Sequence, residues 1–260
     1  MKLHIILAAM AAAVSMIASA QGHRGQAEPP LDPSQMELPA IRTEDVVLVY
    51  SGFVVNYNTR WLIPNWVAYE LTAEEVNGEI PRANGFGMDP EYRGRQAMRE
   101  DYSYSGWDKG HMAPSADMKW SQKAMYECFY LTNICPQNHE LNGRDWQNLE
   151  KSVREWALRY GKVWVVCGPY MKDGSYGVIG GDQSVQVPDG FFKAILRRDD
   201  DSFRSIAFVF RNSSERQPVK DAVVSVNEVE ALVGFDLFTN LDDSIEESVE
   251  AGVEWNEWIF

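Results

Sequence analysis

Cysteine is scarce in this chain, with three among 260 residues (Cys128, Cys135 and Cys167) and no CxxC pair. The odd count forbids a complete disulfide framework, and the missing CxxC excludes a cysteine-rich zinc site. Basic residues are short as well: 24 Lys+Arg stand against 38 Asp+Glu, a formal net charge of −14. That excludes a protein that coats phosphates by bulk charge, but not one that grips a phosphate locally. The apolar run Ile5–Ala18 is too short and wrongly flanked for a transmembrane anchor, and it holds no Cys for a lipid. What is present is ordinary for a folded domain: 45% hydrophobic residues, 24% charged, and nine Trp to fill a core.

Lys2, the apolar run and Ala18-Ser19-Ala20 read as a signal peptide over residues 1–20, which predicts a secreted or periplasmic protein without a membrane anchor. Residues 21–43, rich in Pro and polar side chains, read as a flexible leader, and 44–260 as one domain. In an oxidising compartment Cys128 and Cys135 could pair, whereas Cys167 sits in a buried strand as an inert thiol.

Strand patterns cover Val46–Tyr50, Phe53–Tyr57 and Asn65–Leu71, the last with half-buried alternation. A Gly-, Pro- and Arg-rich stretch, Asn77–Gly106, reads as a long ordered loop. Asp145–Tyr160 is the clearest helix, with Trp146, Leu149, Val153, Trp156, Ala157 and Tyr160 on one stripe. Lys162–Cys167, Phe191–Leu196 and Phe203–Phe210 continue as strands, and Ser225-x-x-Glu228 opens a helix that Gly234 closes. Hairpin-linked strands interrupted by helices predict an α+β domain with a largely antiparallel sheet.

The sharpest local feature is Asp108-Lys109-Gly110-His111, where the glycine is expected to turn the backbone tightly and expose the imidazole. Alone it reads first as a turn with an incidental surface His. Asn133, Asn142, Glu150 and Arg154 follow at short spacing. Glu150 and Arg154, four apart, lie beside the apolar stripe, where their heads emerge at the rim of the packed face. Asn142 falls at the helix start, with an amide oxygen available to a cation. Singly, these residues read as a helix-entry polar group and a surface i,i+4 pair.

With Pro64-Asn65-Trp66-Val67-Ala68-Tyr69, Asp108–Met118, Thr132–Gln137, Leu141-Asn142, Leu149-Glu150, Arg154 and Gly168-Pro169, the chain resembles the DNA/RNA non-specific endonuclease family. These are ββα-metal nucleases with a DRGH motif, in which Lys109 here replaces the Arg; the charge is kept and the planar fork lost. The similarity continues weakly through Val187-Pro188 and the Val224–Gly234 helix, covering most of residues 45–240.

The resemblance implies a central, mainly antiparallel sheet flanked by helices, and cleavage of DNA and RNA to 5′-phosphates. It implies His111 as general base and Asn142 as the sole direct protein ligand of Mg²⁺, with Mn²⁺ as a substitute. Glu150 would hold metal-bound water, Arg154 and Arg82 would stabilise charge on the scissile phosphate, and Asn133 would position the site. A homodimer and an inhibitor protein stay open as partners.

Arg82, Arg93, Arg95, Arg99, Lys109, Lys119 and Lys123 gather around the motif, which predicts a locally positive cleft. The acids of Asp242–Glu250 read as a solvated face. Two other readings stand beside the nuclease. One is a metal-dependent phosphodiesterase of small nucleotides. The other is a non-catalytic glycan-binding module built on Trp61, Trp66 and Trp107.

Overall fold

Alternating apolar residues fold the chain around a seven-stranded sheet whose two sides are both covered. The computed structural model describes residues 35–258 except 173, 175, 182, 183, 200 and 201, so the expected signal peptide and residues 21–34 of the leader lie outside the described residues. In chain order come β1 (Val46–Val49), β2 (Val54–Asn58), β3 (Ile63–Thr72) and the short α1 (Ala73–Val76). The long connection that follows carries β4 (Asp108–His111), α2 (Gln122–Glu127), β5 (Ile134–Gln137) and α3 (Gln147–Tyr160). Then come β6 (Lys162–Tyr170), β7 (Val178–Ile179), β8 (Val185–Gln186), β9 (Gly190–Asp199), β10 (Ser202–Arg211) and β11 (Val223–Val224), with α4 (Val226–Val233) and α5 (Asp243–Glu250) last. The main sheet has the order β1-β2-β3-β6-β9-β10-β11, antiparallel throughout. The expected α+β architecture is the observed one.

Period-two alternation divides the core. Val55, Tyr69, Val165, Ile195 and Phe208 point to the side covered by Trp146, Leu149, Val153 and Trp156 around α3. Their chain neighbours Val54, Ala68, Val166, Ala194 and Ala207 point to the other side, covered by Val226 and Val229 of α4 and by Leu237 and Phe238. β3 is therefore buried on both faces rather than half-buried, because it lies well inside a sheet covered on both sides.

The α3 stripe falls as expected, and α4 has its Ser225–Glu228 capping box and a left-handed Gly234 at φ 77°. Two expectations change. Leu38 and Glu37, inside the expected leader, are buried, with Ala40 N–H donating to Asp236 O at 2.9 Å, so residues 36–40 belong to the packed body. The acidic α5 is not wholly a solvated face either: Glu250 is buried, because Ile245 and Val249 pack the helix toward the sheet. No helix among the described residues is long and apolar enough to cross a membrane.

Candidate active site

The chemistry-bearing residues collect in the β3–β6 connection, where β4 and β5 pair antiparallel and lead into α3, a ββα unit. His111 ends β4 opposite Ile134. Gly110 does not turn the chain; its φ is not in the left-handed region. It is small because a Cβ there would lie 2.2 Å from Gln137 Oε1, so glycine lets the ribbon close over that side chain. The imidazole is accordingly buried, 8% exposed, not presented on the surface as the sequence suggested.

Asn133, fully buried, clamps the segment after His111. It accepts from Ala113 N–H at 2.9 Å and donates through Nδ2 to Ala113 O and Cys128 O at 2.9 and 2.8 Å. Its own carbonyl accepts from Met112 N–H at 3.0 Å. These bonds hold the backbone of Met112 and Ala113, directly after His111.

Arg82 comes from the loop after α1. That loop is pinned by Tyr50 Oη donating to Asp89 at 2.6 Å and by Gln96 bonding the Asp89 backbone in both directions. The Arg82 guanidinium hydrogen-bonds the Ser115 hydroxyl and lies 4.9 Å over the Phe129 ring. Phe129 packs edge-on against the His111 ring, with centroids 4.8 Å apart, and Phe86 lies 5.2 Å from the same ring and 5.1 Å from Phe129, so the three rings form one cluster. Burial, and then the Arg82 charge, push the His111 imidazole down to about 3. Its Nε2 is buried without a hydrogen-bond partner. Such an atom is costly unless something else occupies the site.

The helix begins earlier than expected. A π-helical turn, Leu141–Trp146, runs directly into α3, so Asn142 stands at the helix start as expected, in a first turn that is widened. Asn142 Nδ2 donates to Asp108 Oδ2 at 2.9 Å, and His139 Nδ1 meets the same oxygen at 2.9 Å. With its amide nitrogen anchored on the strand that ends at His111, Asn142 has its carbonyl oxygen available.

Glu150 and Arg154 attract each other but do not form the expected i,i+4 bond. Arg154 Nη1 instead donates to Asp117 Oδ1 at 2.7 Å, and Tyr69 Oη donates to Asp117 Oδ2 at 3.0 Å. Asp117 is fully buried and Lys193 equally so. The Lys193 ammonium stands 4.6 Å over Trp146 and 3.5 Å from Met112 O. Burial raises the Asp117 carboxyl, against the lowering pull of Arg154 and Lys193. Burial also pushes Glu150 up to about 7; Lys193, Arg154 and Arg82 pull it down while Asp117 pushes it up.

His111, Arg82, Glu150 and Arg154 thus lie within one electrostatic neighbourhood, and Asn142 joins it through Asp108. Sequence reasoning missed Asp117, Tyr69 and Lys193. Lys193 carried a signal, a lone cation inside the apolar run Phe191–Leu196, which a buried strand tolerates only with partners.

The three cysteines are free and buried, so Cys128 and Cys135 are not paired; burial pushes Cys128 up to about 12. Trp66 is buried in the core under α4, and Trp61 and Trp107 are partly buried against the core under α3, which leaves no exposed tryptophan platform among these three.

Residues 35–244 match the family described as DNA/RNA non-specific endonuclease. The chain is 39% identical over 208 residues to the mitochondrial nuclease EXOG of Danio rerio, covering 74% of this chain and 60% of that protein. It is 34% identical to the human mitochondrial endonuclease G, over 73% of this chain and 68% of that one. A solved structure of EndoG in complex with EndoGI superposes with a TM-score of 0.73 at 29% identity, covering 83% of this chain and 95% of that one. The chain spans about three fifths of the length of the EXOG relative.

These relatives are mitochondrial proteins, which overturns the expectation of a secreted or periplasmic protein with a signal peptide. The features behind that expectation do not separate compartments. A basic start with no acidic residue before Glu28 suits an organelle leader as well as an export signal.

Proposed function

The chain belongs to the DNA/RNA non-specific endonuclease family, and on that premise we propose that it hydrolyses phosphodiester bonds within DNA and RNA to 5′-phosphate products. The work is done by one nuclease domain, residues 44–260, with residues 36–40 packed on it. The observation that carries the reading is the buried, unpartnered Nε2 of His111, at the end of a ββα ribbon and beside Arg82.

Hydrolysis needs water to attack phosphorus, the bond to the 3′ oxygen to break, and that oxygen to gain a proton. His111 takes the proton of the attacking water on Nε2. In the free protein burial and Arg82 hold the imidazole neutral, so the lone pair is present at neutral pH. The negative charge of a bound phosphodiester opposes both effects and raises the imidazole toward the range where a general base works best. Arg82 and Arg154 are the guanidinium groups available to the phosphoryl oxygens, and Asp117 and Ser115 fix them before substrate arrives. Asn133 holds the backbone after His111.

The donors present fit a hard divalent cation. The Asn142 amide oxygen is available because its nitrogen is anchored, and the Glu150 carboxyl is shifted by burial and charge, not by a hydrogen bond. Asn142 would hold Mg²⁺ directly, with Mn²⁺ as a substitute, and Glu150 would hold its water. When bound, the ion supplies charge neutralisation at the phosphoryl oxygens and an acidic water for the departing 3′ oxygen. Contacts limited to phosphate and sugar account for weak sequence preference.

The test is cleavage of supercoiled plasmid and total RNA by the full chain, with and without Mg²⁺, beside His111→Ala. Expected is metal-dependent loss of both substrates, reduced about 10²–10⁴-fold by the substitution while the protein stays folded. Turnover of small phosphodiesters without polymer cleavage would replace this reading with the nucleotide phosphodiesterase. No metal-dependent turnover at all would leave the glycan-binding module.

A further inference from the structure

On the sheet face opposite His111, α4 and α5 end beside each other, and neither has a basic residue in its last turn. Both bring the negative ends of their dipoles to this corner, where acids are disfavoured. Yet three acids converge there: Glu230 of α4, Asp236 after Gly234, and Glu250, the last residue of α5. One carboxylate oxygen from each lies within 4.8 Å of the other two. The charges acting most strongly on Glu250 are Glu230, Glu246 and Asp236, all negative.

A second observation is independent of that clustering. Glu250 is only 4% exposed, and its Oε1 is buried with no hydrogen-bond partner. A carboxylate oxygen without a donor is among the costliest groups to bury. The neighbouring cation does not relieve it. Arg42 Nη2 donates to Gly234 O at 3.1 Å, capping the end of α4, and forms no ion pair with these acids among the described residues. Glu230 is aimed by Leu237 N–H, which donates to its Oε1 at 2.8 Å.

We propose that Glu230, Asp236 and Glu250 form a Ca²⁺ site that ties the C-terminal helix α5 to α4. Ca²⁺ binds oxygens at about 2.3–2.6 Å, so ligands on opposite sides of one ion stand up to about 5 Å apart, the spread seen here. It accepts irregular geometry completed by water, whereas Mg²⁺ demands a tighter octahedron and keeps its hydration. The ion neutralises a corner that the fold leaves acidic. It reinforces a helix otherwise held by Ile245, Val249 and the Ser205 hydroxyl, which donates to Val249 O at 2.6 Å. Without a cation, burial and the surrounding acids push Glu250 up to about 8 and Glu230 up to about 7, so protons compete for the same place.

The experiment uses the full chain carrying Asn142→Ala, so that Ca²⁺ at the nuclease site does not contribute, stripped with chelator and titrated with CaCl₂ by calorimetry and thermal melting. Expected is saturable uptake of one Ca²⁺ with a rise in melting temperature of several degrees at about 100 times its Kd. Adding Glu250→Gln weakens uptake at least about tenfold. In the absence of Ca²⁺ at pH 9, where Glu250 is ionised, that variant melts at or above its parent, because a like charge has been removed. No uptake up to about 5 mM Ca²⁺, beyond the weakest protein Ca²⁺ sites, would overturn the proposal. Undiminished uptake by the Glu250→Gln protein, or a lower melting temperature for it without Ca²⁺ at pH 9, would do the same.

Discussion

The two faces of the sheet handle buried charge in opposite ways. In the candidate active site the acids have cations: Asp117 holds Arg154, and Glu150 feels Lys193, Arg154 and Arg82. Under α4 and α5 the charges acting on Glu230 and Glu250 are those of one another, Asp236 and Glu246, all negative. Burial alone therefore does not mark a reaction centre. On the first face opposite charges are brought together, as Arg154 is onto Asp117, so each group is fixed in place and neutralised. On the second the imbalance itself is the feature, and it asks for an ion from outside.

That contrast breaks most visibly at Asp117. Asp117→Ala leaves Arg154 and Lys193 without their carboxylate, and a broken buried pair costs about 3–5 kcal/mol. Urea denaturation should show a loss of that size, with cleavage reduced as the Arg154 head loses its anchor. The matching removal on the other face, Glu250→Gln, should not destabilise the cation-free protein at pH 9. A loss at both positions would show that the faces are alike.

Next in size is the acid response. The folded imidazole of His111, at about 3, lies below its ordinary 6.5. Between those values the unfolded chain binds the proton and the folded one does not, so stability falls as pH drops from 6.5 toward 3. Glu150 has the reverse sign. Its folded value of about 7 lies above the ordinary 4.5, so the stability it contributes is present below 4.5 and is lost as pH rises toward 7. The two largely cancel between 4.5 and 6.5. His111→Gln removes one side of this balance and should gain about 2 kcal/mol on the wild type between pH 7.5 and pH 5, at about 1.4 kcal/mol per unit. Denaturation midpoints at the two pH values measure it.

Lys193→Met sharpens the comparison further by removing a cation that lowers Glu150. Glu150 then ionises at higher pH, and the rising limb of metal-dependent cleavage should move up by about one unit. An unmoved limb would detach Glu150 from metal binding. The smallest effect is expected at Lys109, whose ammonium lies 5.2 Å over Tyr102 and 5.7 Å over Phe86. Lys109→Arg keeps the charge and the ring contacts, so cleavage and stability should change by less than about 1 kcal/mol.

Much of this architecture was legible in the residues. Apolar alternation gave β2, β9 and β10, the 3.6-residue stripe gave α3, and Ser225–Glu228 with Gly234 gave α4. His111, Asn142, Glu150 and Arg154 stood out through their spacing and a family resemblance. What stayed hidden depends on contacts across long sequence separations. Asp117 and Arg154 are 37 residues apart, and nothing local says that they touch. The burial of Glu250 is decided by β10 and α4, while its own helix reads as acidic and wet. The imidazole of His111 reads as exposed until Phe86 and Phe129 close over it.

The widened turn ahead of α3 carries Asn142 into the helix. An i→i+5 turn takes up one residue more than an α-turn. Losing a single residue there, such as Gly143, would let the rod run as plain α-helix with Asn142 near its present angle to Glu150, because the widened turn holds its extra residue without a full extra rotation of about 100°. The hydrophobic stripe beyond Trp146 would keep its seat on the sheet. In this chain the width of that turn and the bearing of the amide oxygen on it are therefore set separately.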